Sequence, residues 1–548
     1  MTTRALRTTA WLSGSIMATA IMAGSAGARA DDLQTDQQLL DARIGQLAAV
    51  GQQPGVGAVF SVDQNSAAGA AATGGNFPRS ILIPGTDTSI KVYGVIFEAL
   101  DYWMSGGGSV VNSSPQTTLV GANGILQSIS LRNTVASARG NGVFSQSPRV
   151  SRIGFETRTP TPFGEARTVM EFDWAGPTAF APGGTNPTSV SDNLVPRLRY
   201  AYGTLGGLLA GQATSNFADP DANGETLDFG GNVGEPGHVR IPQVRYTMPT
   251  WWGGSLSVSA ETPETIIATT VGIEASDAGV VPTTTTTCTA AAPGSVSTAT
   301  SSTCTTTLLT SGETPLNVAK ATSPDFTAAY YLSQPWGHID LSGVLRPGID
   351  VTDGHYFDHQ FIGYGGHIGL DIKPGWFGWA KDDFTLHVTA GDTIGPYLSS
   401  STNFDLATNY GAASTSTLAG TYGGVNGPTT AAAASRIIFK PTQEMGMELG
   451  YQHWWLDNLR SNINGGFNAH YGIPIRLVNA NGTTAGAASS GGQAAAINKE
   501  LISAHVNLIW NPVSFVDVGL EYMWGQRTVL DNQTATENVL ISKLAFRF

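Results

Sequence analysis

Arg197 and Arg199 stand one residue apart in Arg197-Leu198-Arg199-Tyr200-Ala201-Tyr202-Gly203, and Arg240, Gln243 and Arg245 repeat a basic, polar spacing in Val239 to Thr247. Between the two runs lie five acids: Asp219, Asp221, Glu225, Asp228 and Glu235. Guanidinium groups keep their charge at any physiological pH and grip a carboxylate through two parallel hydrogen bonds. A row of them is a track of weak sites along which a small anion can enter, move and leave. Arg152, Arg158 and Arg167 extend the row, and the acids between the two basic runs form a facing loop.

Other chemistry is poorly served. The chain has no G-x-S-x-G elbow and no phosphate-binding G-x-x-x-x-G-K stretch. Gly363-Tyr364-Gly365-Gly366-His367-Ile368-Gly369 is glycine-rich but reads as strand, where close packing explains it better than a nucleotide does. His355 and His359 lack a third ligand, so no metal and no cofactor are expected.

The elements that would position the arginines are strands. In Arg197 to Gly203 the arginines and small residues are expected on one face, with Leu198, Tyr200 and Tyr202 on the other. In Ser151 to Trp174, Ile153, Phe155 and Thr157 alternate with Arg152, Glu156 and Arg158. After the turn at Pro160 to Gly164, Ala166, Met170, Phe172 and Trp174 alternate with Glu165, Arg167, Glu171 and Asp173. A soluble antiparallel sheet also has two faces. Here the charged face recurs strand after strand, as a water-filled lumen requires. His338 to Arg346, His367 to Ile372, Ile502 to Trp510 and Val516 to Trp524 repeat it, and Leu544, Phe546 and Phe548 share one face of the last strand.

Composition agrees with one large barrel. Of 548 residues only 13% are charged, 67 are glycine and 41% are hydrophobic, yet the mature chain has no run of about 18 uncharged apolar residues. The fold class expected is all-β: a transmembrane antiparallel barrel of about sixteen strands. Met1 to Ala30 reads as an export signal, with Arg4 and Arg7 before an apolar core and Ala28-Arg29-Ala30 as the cleavage site. An uncleaved anchor is the alternative, and the core is short for one. Losing Arg4, Arg7 and Arg29 takes the net charge from -13 to -16, which argues against a nucleic-acid partner. Residues 31–50 carry Leu33, Leu40, Ile44 and Leu47 at heptad positions, the pattern of a short self-associating helix or of one lying on its own barrel. Residues 51–88 form a linker, and 89–548 the barrel. Cys288 and Cys304, the only cysteines, lie in a Thr-rich insert and form a disulfide candidate in an oxidising compartment.

Strands are expected near 90–103, 148–159, 164–175, 195–205, 206–215, 239–248, 254–262 and 324–333, then 336–347, 359–373, 381–393, 433–441, 443–455, 498–511, 514–526 and 537–548. Connections then alternate long and short, with long loops outside and short turns in the periplasm. Asn216 to His238 becomes the third outer loop, Thr262 to Thr322 the fourth, Ser399 to Ala434 the sixth and Asp457 to Asn498 the seventh.

Several blocks resemble the DcaP-type trimeric porins of Gram-negative outer membranes: Ile83-Pro84-Gly85-Thr86-Asp87-Thr88-Ser89-Ile90-Lys91-Val92-Tyr93-Gly94, Ser151 to Phe155, Gly203 to Gln212, Asp219-Pro220-Asp221, Glu225 to Phe229 and Arg240 to Tyr246. The resemblance implies a 16-stranded homotrimer, a periplasmic coiled coil, an inward-folded third loop, and passage of small anions such as dicarboxylates. Outer-membrane lipid, lipopolysaccharide and small anionic solutes would be its partners. On that reading Arg152, Arg158, Arg167, Arg197, Arg199, Arg240 and Arg245 line the pore, facing Asp219, Asp221, Glu225 and Asp228 of the constriction loop. Alternatively, the arginines merely neutralise lumen acids such as Glu156, Glu171 and Asp173. A barrel-based adhesin whose loops plug the pore, or an outer-membrane enzyme, are the other classes considered.

Overall fold

The computed structural model describes residues 74–107, 126–127, 129, 140–176, 195–234, 236, 239–269, 286–289, 303–306, 319–352, 354, 357–375, 378–398, 404–408, 420–422, 425–427, 438–473, 497–530 and 532–548. The export segment, the heptad helix and the linker up to residue 73 lie outside the described residues.

Strands with one apolar and one polar face over ten or more positions close into a ring of sixteen antiparallel strands, apolar side outward and polar side lining the lumen. They are β1 Ser89–Ser105, β2 Val143–Ser147 continued by Arg152–Thr161, β3 Gly164–Asp173, β4 Arg197–Leu205, β5 Leu208–Thr214, β6 Arg240–Trp251, β7 Gly254–Glu261 and β8 Asp325–Gln334. The second half is β9 Gly337–Thr352, β10 Asp358–Ile372, β11 Asp383–Asp392, β12 Gln443–Leu456, β13 Leu459–Tyr471, β14 Asn498–Val513, β15 Val516–Val529 and β16 Thr534–Arg547. Each strand pairs with the next, and β16 pairs with β1 from Val95 opposite Arg547 to Ser105 opposite Asn538. Among the described residues, no strand of the ring is left with an unpaired edge. Phe548 seals the seam by exchanging both backbone hydrogen bonds with Gly94. A Cβ at residue 94 would come within 2.5 Å of the Phe548 ring, so glycine is what lets the ring lie flat there.

The outer face is greasy. Leu341, Ile368, Leu508 and Leu520 are each about half exposed, while their inward neighbours His338, Asp340, His367, His505, Asn507, Asp517 and Glu521 are buried. Among the described residues no helix is long and apolar enough to cross a membrane.

Two local expectations need correction. Glu171 pairs with Tyr200 but the next residue, Phe172, pairs with Leu198. Arg199 is therefore the extra residue of a β-bulge. Because of it Arg199, Tyr200 and Tyr202 all point inward and are buried, the two tyrosine rings meeting edge to face at 6.3 Å; only Leu198 faces out as expected.

The twelfth and thirteenth strands are Gln443–Leu456 and Leu459–Tyr471, turning at residues 457–458, not 433–441 and 443–455 turning at Pro441. The segment Phe439–Pro441 instead joins Ile267–Thr269 and Leu406–Thr408 in a small sheet outside the ring. Arg460, Asn462, Asn464, Gly466, Asn468 and His470 occupy the inward positions of β13. Asparagine and glycine at alternate places suit a wet lumen, and that same composition imitates a loop. The sixth loop thus spans residues 393–442, and the seventh begins only at 472.

Within the fourth loop, the backbones of Thr286–Thr289 and Thr303–Thr306 pair with Cys288 opposite Cys304. We expect this pair to be oxidised: iodoacetamide should label neither cysteine until a reductant is added, and labelling of both in untreated protein would contradict the pairing.

Candidate functional site

Strands β2 to β6 build one wall of the lumen. Arg197 donates from Nε and Nη2 to the two oxygens of Asp173 at 3.0 and 2.6 Å. Arg199 donates to Glu171 at 2.7 Å and Asp173 at 2.9 Å. Arg158 and Arg167 both donate to Glu156 Oε1 at 2.8 Å, and Arg158 also lies 3.3 Å from Glu165. Arg152 sits 5.7 Å over the Phe97 ring and Arg240 5.3 Å over Tyr200; Arg245 is buried beside them on β6. All seven arginines are on one wall, and four of them stiffen it by gripping its own acids. That wall still carries an excess of positive charge. β2 to β6 hold seven arginines against Glu156, Glu165, Glu171 and Asp173, a difference of three.

The third loop, L3, leaves β5 and folds into the lumen. Its start is fixed by Glu261 of β7, which accepts from Ser215 Oγ at 2.7 Å and from the Asn216 N–H at 2.8 Å. Phe217 then packs edge-on against His367 and Tyr397. Asp219 caps a short 3-10 turn by accepting from the Asp221 N–H and sits 2.7 Å from His338 Nε2 of β9. Burial alone would raise the Asp219 carboxyl, but the imidazole beside it holds it well below the ordinary carboxylate range. Further on, Glu225 receives Arg460 of β13 through Nε and Nη2 at 2.7 and 2.6 Å, with Gln452 and Asn462 donating to the same carboxylate.

The wall also holds the loop's backbone. Glu521 of β15 accepts the N–H groups of Leu227 and Asp228. Glu448 of β12 accepts from the Gly224 N–H and from Asn232 Nδ2, both at 2.7 Å. The loop acids Asp219 and Glu225 are therefore paired with the wall opposite the arginines. Toward the arginine wall L3 presents Phe229, whose ring lies 5.8 Å beneath the Arg197 guanidinium. Asp228 is buried and Asp221 half-buried.

The sixth loop folds inward as well. Fully buried Arg346 of β9 donates to Asp325 of β8 at 2.9 Å, to Asp405 and the Thr393 carbonyl at 2.5 Å each, and to the Glu264 carbonyl. It thereby ties the fourth and sixth loops to the ring. Phe217, Val344, Ile394, Tyr397 and Leu398 form an apolar cluster where L3 and the sixth loop meet.

His338, Arg346, Glu448, Arg460, His505 and Glu521 were not singled out in the sequence as site residues. Most sit on well-alternating strands, so an inward polar position was the available signal. Arg460 lay in a segment read as loop. Of the two histidines weighed as ligands, His359 stacks on Phe357 and His355 lies outside the described residues.

A closed sixteen-stranded ring with a greasy outer belt, a charged lumen and a third loop folded into it defines the channel class of outer-membrane barrels. Residues 81–539 match the family model described as porin subfamily. The chain belongs to that family: it is an outer-membrane porin. Among solved structures, the fold is similar to the outer membrane channel DcaP of Acinetobacter baumannii, at 18% identity and a TM-score of 0.54, covering 84% of this chain and 97% of that one. The anion-selective porin from Comamonas acidovorans matches at 7% identity and a TM-score of 0.41, covering 84% of this chain and all of that one. OmpT of Vibrio cholerae matches at 8% and 0.41, covering 85% and 100%. No curated protein matches the chain in sequence.

Proposed function

We propose that this porin is an anion-preferring diffusion channel for small carboxylates, including dicarboxylates, and that it works as a homotrimer. The observation that carries the preference is the excess of three arginines on the β2–β6 wall. Each guanidinium there is charged at every relevant pH, and those of Arg158 and Arg197 are about a third exposed and so reach solvent. A dicarboxylate could exchange one arginine contact for the next as it moves.

The trimer reading is supported by one patch on the outward face of β2 to β5, set among Phe155, Met170 and Leu198. Thr157 and Thr168 hydrogen-bond to each other at 2.6 Å on that surface, beside Ala201, Gly203, Ala210 and Gln212. Small and polar groups suit a protein neighbour better than lipid.

The test is the zero-current potential of a planar bilayer holding many channels across a salt gradient. A sign showing that chloride outruns potassium is expected. A potassium-preferring sign would remove the arginine wall from the account.

A further inference from the structure

Gly369 of β10 is where L3 meets the far wall most tightly. A Cβ built there would stand 2.3 Å from Asp219 Oδ2 and 2.6 Å from Asp219 Cβ, so with the loop seated only glycine fits. The register places Gly369 between Asp340 of β9 and His387 of β11. The missing side chain leaves a socket in the wall, and the loop's carboxylate fills it.

The socket is built to hold a negative charge. His338 Nε2 lies 2.7 Å from Asp219 Oδ2. The ring is kept in place by stacking on Tyr331 at 4.8 Å, and its Nδ1 is 3.7 Å from Asp371. Behind Asp219 lie two further buried imidazoles, His367 and His387, with centroids 5.1 Å apart; His367 Nδ1 meets Thr389 Oγ1 at 2.8 Å. The other titratable groups facing the site are Asp340 of β9, Asp383 of β11, Glu448 of β12 and Asp221 of the loop itself. Asp219 also caps the 3-10 turn of L3. Leaving the socket would therefore loosen the turn.

We propose that Asp219, seated over Gly369 against His338, is a latch that holds L3 on the far wall and keeps the conducting path steady, and that it disengages on the alkaline side when His338 loses its proton. The acid side is protected. Burial would raise the Asp219 carboxyl, but the imidazole of His338 holds it well below the ordinary carboxylate range near 3.9. Its contribution is complete above that ordinary range and is lost only as pH falls well below it. On the alkaline side a neutral His338 leaves a buried carboxylate without its cation, which is strongly unfavourable. The freed loop then samples the lumen and interrupts the current.

The test is single-channel recording over stepped pH for the wild type, Gly369→Ala, His338→Gln and His367→Gln, each first shown to fold by heat-modifiable migration on gels. The wild type should be quiet from acid to neutral pH, and its brief closures should become about tenfold more frequent, or more, on the alkaline side; tenfold corresponds to 1.4 kcal/mol of latch energy. Gly369→Ala and His338→Gln should flicker at every pH with no alkaline step. His367→Gln should keep the step. Hydrogen exchange of the Phe217 to Asn223 amides reads the same latch without needing current, and should be about tenfold faster, or more, in the first two variants. Folded Gly369→Ala and His338→Gln channels as quiet as the wild type with unchanged exchange, or an alkaline step that persists in His338→Gln, would overturn the proposal. A wild type silent in the bilayer would defeat the diffusion-channel reading, while the exchange data would still decide the latch.

Discussion

Replacing Arg197 and Arg199 together by glutamate should reverse the anion preference proposed for this porin and make the channel cation-preferring. The wall between β2 and β6 carries seven arginines and four carboxylates; the double variant would carry five and six, moving the balance from plus three to minus one. The variant also leaves Asp173 and Glu171, both buried, facing new carboxylates, so the barrel itself is placed under strain. A companion with glutamine at both positions separates the effects. Its balance is plus one, so its preference should weaken without inverting. Because arginine does not titrate in the accessible range, the wild-type selectivity should stay constant across neutral pH. Reversal potentials that ignore both variants would mean that these arginines only brace the wall.

The second large effect concerns how L3 is held. Arg460 is 1% exposed and grips Glu225 with two hydrogen bonds. Arg460→Ala leaves that loop carboxylate against the lumen wall with only the amides of Gln452 and Asn462. Breaking a buried pair from one side costs roughly 3–5 kcal/mol, so the temperature at which the barrel loses its heat-modifiable form should drop clearly. Adding Glu225→Gln should recover much of the loss, since the uncompensated charge is then gone. A double variant as unstable as Arg460→Ala alone would show that Arg460 acts through its contacts with Asn511 and Trp454 instead.

How far the sequence was legible depended on what each strand's inward face is made of. Where charged residues alternate with Ile, Leu or Phe, as in β2, β3, β9 and β15, strand and facing could be read directly. β13 was hidden because its inward face is asparagine and glycine, a composition shared with loops. Tyr200 and Tyr202 were misplaced because a one-residue bulge reverses facing, and no local residue type announces a bulge opposite Glu171 and Phe172. The arginine wall was legible, but the partners of the L3 acids were not. Asp219 and His338 are 119 residues apart, and Glu225 and Arg460 are 235 apart. Only closure of the ring, with β9 and β13 brought round to meet L3, puts them in contact. Gly369 likewise reads as one glycine among several in a strand; that it is a socket depends on where L3 lands.

The central claim is that solutes cross along the arginine wall of a trimeric porin. Single-channel current through the purified protein in a planar bilayer, recorded with and without succinate, tests it most directly. Conductance steps grouped in threes are expected, with brief succinate-dependent interruptions that vanish in the Arg197→Gln, Arg199→Gln variant. Steps that occur singly and are unchanged by succinate would contradict both the assembly and the binding track.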